Sequence, residues 1–193
     1  MTVIKDGAGS GYSVKVDKLN RAHSYSVTDT AFNYALKRGK AYSASTGVIT
    51  LTSANESALI YMSFSEAVGV VLDETIVTFG ASTGGTGDVL TNVYVAPTTG
   101  TVISDATAGS IVNLNQTSAD SLSAVIYTGA EGKTLSGEVT TIAGIGSTSS
   151  IYRPGKGGFL NNGSSFGMSV FPPVGNTSMS VIISFYFYIP EDI

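Results

Sequence analysis

Few residues in this chain are equipped for chemistry, and their spacing limits what each can do. Gly129-Ala130-Glu131-Gly132-Lys133-Thr134 ends like a phosphate-binding loop. Such a loop needs its first glycine five residues before the second, and that position holds Tyr127. The following Leu135-Ser136-Gly137-Glu138-Val139 has strand character, so no helix N-terminus receives a phosphate there. Gly7-Ala8-Gly9-Ser10-Gly11 is also glycine-rich, but it runs into the alternating Tyr12–Val16 and reads as a hairpin turn. Asp73-Glu74 is the one adjacent acid pair in the body of the chain. Neighbours on a regular strand point to opposite faces, which suits neither joint acid–base work nor a metal, so a turn or bulge is expected. Asp88 and Asp105 follow Gly- or Ser-containing loops without the dense Asp spacing of a calcium loop. His23, the single imidazole, falls on the apolar side of its strand with Tyr25 and Val27, as a core or interface histidine does. No serine stands in Gly-x-Ser-x-Gly, and His23 is the only side chain of a type that would activate one. The absence of cysteine excludes disulfides, thiol nucleophiles and Cys-based zinc sites. The expectation is a protein without catalytic residues, cofactor or metal, and therefore not an enzyme.

What must position these residues is a chain built largely of small ones. Glycine, serine and threonine (23, 26 and 22 residues) fill 71 of 193 positions, and charged residues reach only 12%. Apolar residues still make up 42%, enough for one well-cored domain. The net charge of −4 is uneven. Residues 1–40 carry seven basic side chains against Asp6, Asp17 and Asp29, giving +4, and the remainder carries three against eleven acids, giving −8. A basic end beside an acidic body reads either as a solvated segment or as a docking element for an acidic partner. No basic run is interleaved with aromatics, so nucleic acid is not an expected partner. The N-terminus lacks a signal-peptide pattern. The most apolar segment, Met179–Pro190, is shorter than the about 20 residues of a membrane helix. A soluble protein made in a cytoplasm, with no membrane partner, is expected.

Strand signals dominate. Tyr12, Val14 and Val16 alternate with polar residues, and so do Ile49 and Leu51. After Ser53–Glu56 come Ile60, Met62 and Phe64, and the pair predicts a hairpin. Val68–Phe79 is one bent strand or two; Pro97-Thr98-Thr99-Gly100 predicts a turn. Strands are also expected at 111–115, 122–127, 134–142 and 166–171. The last is the clearest: Val181, Ile183, Phe185, Phe187 and Ile189 share one face, and Ser180, Ser184, Tyr186 and Tyr188 the other. Its spacing suits a central strand whose tyrosine face meets a neighbouring subunit. One helix is predicted, Ala31–Arg38, capped by Asp29-Thr30 and stopped by Gly39. The fold expected is all-β, a single β-sandwich of jelly-roll type with one short N-terminal helix. Residues 1–40 form an N-terminal arm or docking segment and residues 41–193 the sandwich.

Ile4-Lys5-Asp6-Gly7-Ala8-Gly9-Ser10-Gly11-Tyr12-Ser13-Val14-Lys15-Val16, followed by Asn20-Arg21, resembles the opening of structural proteins of tailed-bacteriophage particles. Gly39–Tyr42 leading to Thr46–Ser53, Pro97–Thr107 and Gly129–Gly132 continue the resemblance. It implies a small β-sandwich subunit that decorates heads or builds neck, tail or fibre, often as a homotrimer. It carries no catalytic residue, and it places the protein in the virion, assembled in the host bacterial cytoplasm. The first expectation is a capsid decoration or cement subunit bound to the major capsid protein or another virion protein. Its docking residues would be Lys5, Lys15, Lys18 and Arg21, with Tyr186 and Tyr188 at the oligomer interface. A neck, tail or fibre component, or a receptor- or carbohydrate-binding module, is the alternative.

Overall fold

The computed structural model describes residues 3–5, 13–16, 22–23, 30–144, 150–152 and 158–190. The chain forms two compact units, Met1–Thr30 and Ala31–Ile193. In the first, β1 (Val3–Lys5), β2 (Ser13–Val16) and β3 (Ala22–His23) pair antiparallel in that order.

The second unit opens with helix α1 (Ala31–Lys37). Gly39, at φ +74°, ends it. The Gly39 amide donates to the Leu36 carbonyl at 3.1 Å and that of Lys40 to the Ala35 carbonyl at 2.8 Å. This left-handed cap satisfies carbonyls that the helix end would otherwise leave free.

Fourteen elements follow: β4 (Ala41–Ser45), β5 (Ile49–Leu51), β6 (Ser57–Phe64), β7 (Val70–Phe79), β8 (Val89–Thr99), α2 (Thr101–Ser104), β9 (Thr107–Ala108), β10 (Ile111–Asn113), β11 (Ala124–Thr128), β12 (Ser136–Gly144), β13 (Ser150–Tyr152), β14 (Gly158–Leu160), β15 (Ser165–Phe171) and β16 (Met179–Tyr188). They build two antiparallel sheets. The first runs β10-β4-β16-β7-β13, with β5 also on β16 and β14 also on β7; the second runs β12-β8-β15-β6-β11-β9.

The pairing follows one rule. Ala44 stands opposite Phe185, Met62 opposite Phe166, Ile76 opposite Ile151 and Val93 opposite Thr140. As the first partner advances along the chain, the second retreats by a similar amount. The body is therefore a single long antiparallel ribbon, doubled back near residue 115 and folded so that successive pairs fall in alternate sheets. Residues 100–135, at the turn of the ribbon, supply an outer strand to each sheet: β10 beside β4, and β11 with β9 beside β6.

The sheets meet over a shared core. β16 alternates buried and half-buried residues along its whole length, because a central strand with one face on the core must. Phe185 and Phe187 are fully buried. From the opposite sheet Phe166 meets Phe185 edge-on at 5.6 Å, and Phe64 meets Phe187 edge-on at 5.9 Å. Tyr42 stacks beside Phe187 at 6.2 Å. Edge-to-face packing adds to the burial these rings already gain.

A second, smaller core lies on the outer side of the six-stranded sheet. Tyr127, Tyr61, Gly167, Tyr94 and Val139 stand in one transverse row across five strands. Gly167 leaves the gap into which Leu135 fits: a Cβ there would lie 2.5 Å from Leu135 Cδ1 and 3.0 Å from the Ile60 carbonyl oxygen. Leu135 and Val102 then close over Ala58 and Tyr94. Thr101 and Thr134 latch this cover, the Thr134 amide donating to Thr101 Oγ1 at 2.9 Å and the Thr101 amide to Thr134 Oγ1 at 3.2 Å.

Several local expectations need correction. Ile49–Leu51 and Ser57–Phe64 do not form a hairpin: β5 pairs with β16, and β6 lies in the other sheet between β15 and β11. Strands β4 and β5 lie end to end along the same side of β16, interrupted at Thr46–Val48. There Thr46 Oγ1 accepts the Ile183 amide at 3.0 Å, standing in for a strand carbonyl. No turn falls at Pro97; β8 runs on to Thr99, with Ala96 at φ 48° taking up the irregularity, and the helical turn α2 follows as a second helix. Two expectations hold: Val70–Phe79 is one strand, the first of the two readings of residues 68–79, and a bulge falls at the acid pair. The register of β7 with β16 slips so that Tyr186 faces Glu74 while Phe187 faces Leu72, leaving Asp73 as a bulge.

The ring contacts across the core set an expected cost. Phe185→Ala lowers the unfolding free energy by about 3–5 kcal/mol, the usual loss for a buried phenylalanine. Urea denaturation followed by far-UV circular dichroism checks it, and a loss under about 1 kcal/mol would contradict the central place of this ring.

Candidate interaction face

The tyrosines singled out by alternation stand on the outer face of the seven-stranded sheet, both half-buried on β16. Tyr186 has Ser43 of β4 on one side and Glu74 of β7 on the other. Tyr188 lies between Ala41 and Val71, and Phe32 of α1 packs edge-on against its ring at 6.1 Å and 84°. Burial, and secondarily the Asp73 carboxylate, push the Tyr188 phenol above its ordinary pKa. The ring is thus already in contact with the helix.

The bulge at Asp73 alters the acid pair. Leu72 and Thr75 are buried, whereas Asp73 is exposed and Glu74 half-buried. Instead of pointing to opposite faces, both carboxylates lie on the outer side with the tyrosines. An extra residue in one strand of a pair has this effect, since it breaks the strict two-residue alternation. The result is a phenolic, acidic face bordered by α1, where Arg38 lies over the Tyr34 ring at 5.8 Å.

The proposed docking residues belong to the other unit. Lys15 of β2 stands opposite Val3 on one side and His23 on the other, and Lys5 of β1 stands opposite Ser13. Lys18 and Arg21, and Tyr25 and Val27 beside His23, lie outside the described residues. The structure therefore brings Tyr186 and Tyr188 together and places two of the four basic residues in neighbouring strands.

Three polar assemblies have no local signature. Glu56 Oε1 accepts Asn92 Nδ2 at 2.9 Å, the Tyr94 hydroxyl at 2.7 Å and the Ser169 hydroxyl. Burial and this bond raise the Tyr94 pKa. Glu131, inside the stretch that mimics a phosphate loop, grips the turn after β5. It accepts the Thr52 and Ser53 amides at 2.8 and 2.6 Å and the Thr52 hydroxyl at 2.7 Å. Lys133 pairs with Asp105, whose carboxyl is held below its ordinary value by that hydrogen bond and charge. Beside this pair runs a shallow groove of about 500 Å³, lined by Thr98, Thr99, Thr101, Thr134 and Ser136 around Ile103. Among the described residues no three His, Cys, Asp or Glu side chains gather as for a metal ion.

Comparison with known proteins adds no relative: no family model matches the chain, and no match is found among curated proteins.

The hydrogen bonds from Thr52 and then Ser53 hold the Glu131 carboxyl below the ordinary glutamate value of 4.5. A depressed folded value stabilises the protein above the ordinary pKa, and that stability is lost as pH falls through the folded value. Glu131→Gln therefore costs about 1 kcal/mol or less at neutral pH, solvent screening being strong at this site. The gap between variant and parent narrows as the pH falls below the ordinary glutamate range, as urea denaturation on both sides of that range will show.

Proposed function

We propose that the protein is a non-enzymatic structural subunit of a tailed-bacteriophage particle, a capsid decoration or cement protein that binds and stabilises the head shell. One observation carries the reading: the pairs β4–β16 and β7–β13 fall in one sheet, and the pairs β6–β15 and β8–β12 in the other. A ribbon wrapped in that alternation is the plan of a jelly roll, a fold used widely for viral coat subunits. We read the body as one. Fold alone does not establish function. The role rests in addition on the resemblance of Ile4–Val16, Pro97–Thr107 and Gly129–Gly132 to phage structural proteins. A cysteine-free chain also suits assembly in a reducing cytoplasm.

In this reading the segment holding Lys5, Lys15, Lys18 and Arg21 docks on acidic surface of the major capsid protein. Tyr186 and Tyr188, aromatic and amphipathic, contribute to a homo-oligomer. Such a contact would add stability to the shell by mass action, since it forms only with folded, assembled partners.

The test is the position and copy number of the chain in purified particles. Hundreds of copies spread over the head fit a decoration protein, because a shell repeats its subunits by symmetry. A few to a few tens at one vertex would move the protein to neck, tail or fibre, and absence from particles would end the proposal. Removing residues 1–21 is expected to abolish shell occupancy. Normal copy number after that deletion would remove the docking role of the basic residues.

A further inference from the structure

A sheet edge presents unpaired N–H and C=O groups, and proteins blunt such edges by keeping them short or by adding lysine, proline or bulges. The outer strands β9, β10, β13 and β14 follow the first course, at two or three residues each. β12 does not. It spans nine residues, contains neither lysine nor proline, and among the described residues pairs only with β8 on its inner side. Its register with β8 slips only between Ser136 and Glu138, so Glu138–Gly144 is an unbroken run. Alternate residues of such a run direct both backbone groups outward. Val139 in this run is 45% exposed, and Val95 on the adjoining β8 50%.

We propose that β12 pairs antiparallel with β12 of a second copy of this chain, joining two six-stranded sheets across a two-fold axis at Thr141. The argument for a second copy is the pattern of the strand itself. With Thr141 opposite Thr141, Val139 meets Ala143 and Glu138, the only charge on β12, meets Gly144. No like charges oppose one another, which would be unfavourable directly across a pair. The two Glu138 positions lie about 20 Å apart at the usual strand rise, well beyond the screening length of about 8 Å. About six to eight backbone hydrogen bonds would form over the seven-residue run. An isologous contact of this kind closes after two copies and uses up the long edge of β12.

The full chain has no cysteine, so one introduced thiol reports on one position. The expected results are concentration-dependent self-association by sedimentation equilibrium and rapid covalent dimerisation of Thr141→Cys with a short bifunctional maleimide. Ser104→Cys, exposed on α2, should remain monomeric under the same treatment. Thr141→Lys and Thr141→Glu, each checked for folding by circular dichroism, should weaken the dimer about tenfold or more, and an equal mixture of the two should restore it. A monomer at every concentration, an assembly that Thr141→Lys leaves untouched, or equal cross-linking at both positions would overturn the interface. A chain that stays monomeric yet occupies phage heads would defeat this interface and leave the particle reading intact.

Discussion

The body of the protein depends on the contact between Phe185 and Phe187 of β16 and Phe166 and Phe64 of the facing sheet. Backbone hydrogen bonds are spent within each layer, so side-chain packing between the layers holds their separation, and these rings are among the largest side chains in it. The four rings set the spacing, and the smaller aliphatic residues on the same strand faces fill around them. Because β16 lies between β4 and β7, the same residues also fix where the strands on either side must stand. Everything on the outer surfaces is placed relative to that seam.

The polar residues in turn follow from a shortage of charge. With few ionic groups available, single carboxylates tie together several segments, each by accepting more than one donor. Glu56 joins the turn before β6 to strands β8 and β15, and Glu131 joins the turn after β5 to the connection between β11 and β12. Asn176 plays a comparable part while buried, donating to the Leu51 and Ser53 carbonyls and accepting from Ser82. Hydroxyls of Ser and Thr complete the latches. The abundance of these residues is thus a structural resource as well as a solvent-facing surface.

How much of this was legible before the structure depended on whether a feature was local. The two faces of β16 follow from strict alternation, and the end of α1 follows from Gly39, because both are consequences of a few consecutive residues. The partner of β5 is not local: the connection from Leu51 to Ser57 is short enough for a hairpin, but it crosses between sheets instead. That the acid pair marks an irregularity was legible from its two adjacent charges, but that it is a bulge inside one strand was not, since it is defined by a register against Tyr186 and Phe187. At the candidate face, the spacing of Tyr186 and Tyr188 identified the outward residues. That Phe32 covers one of them, and that Asp73 and Glu74 join them, depends on packing between distant segments.

The doubled-back ribbon also bears on the order in which the chain can acquire its structure. Contacts distant in sequence are slow to form because closing a long loop is entropically costly. Here Val93 and Thr140 are the nearest of the principal partners, and Ala44 and Phe185 the most distant. Pairing β8 with β12 brings β7 close to β13, that pair brings β6 close to β15, and so outward to β4 and β16. Each step closes only a small additional loop, so a fold dominated by remote pairings can assemble like a zipper from its middle. The ring contacts of β16 are then the last to form, and they lock a ribbon that is already in register.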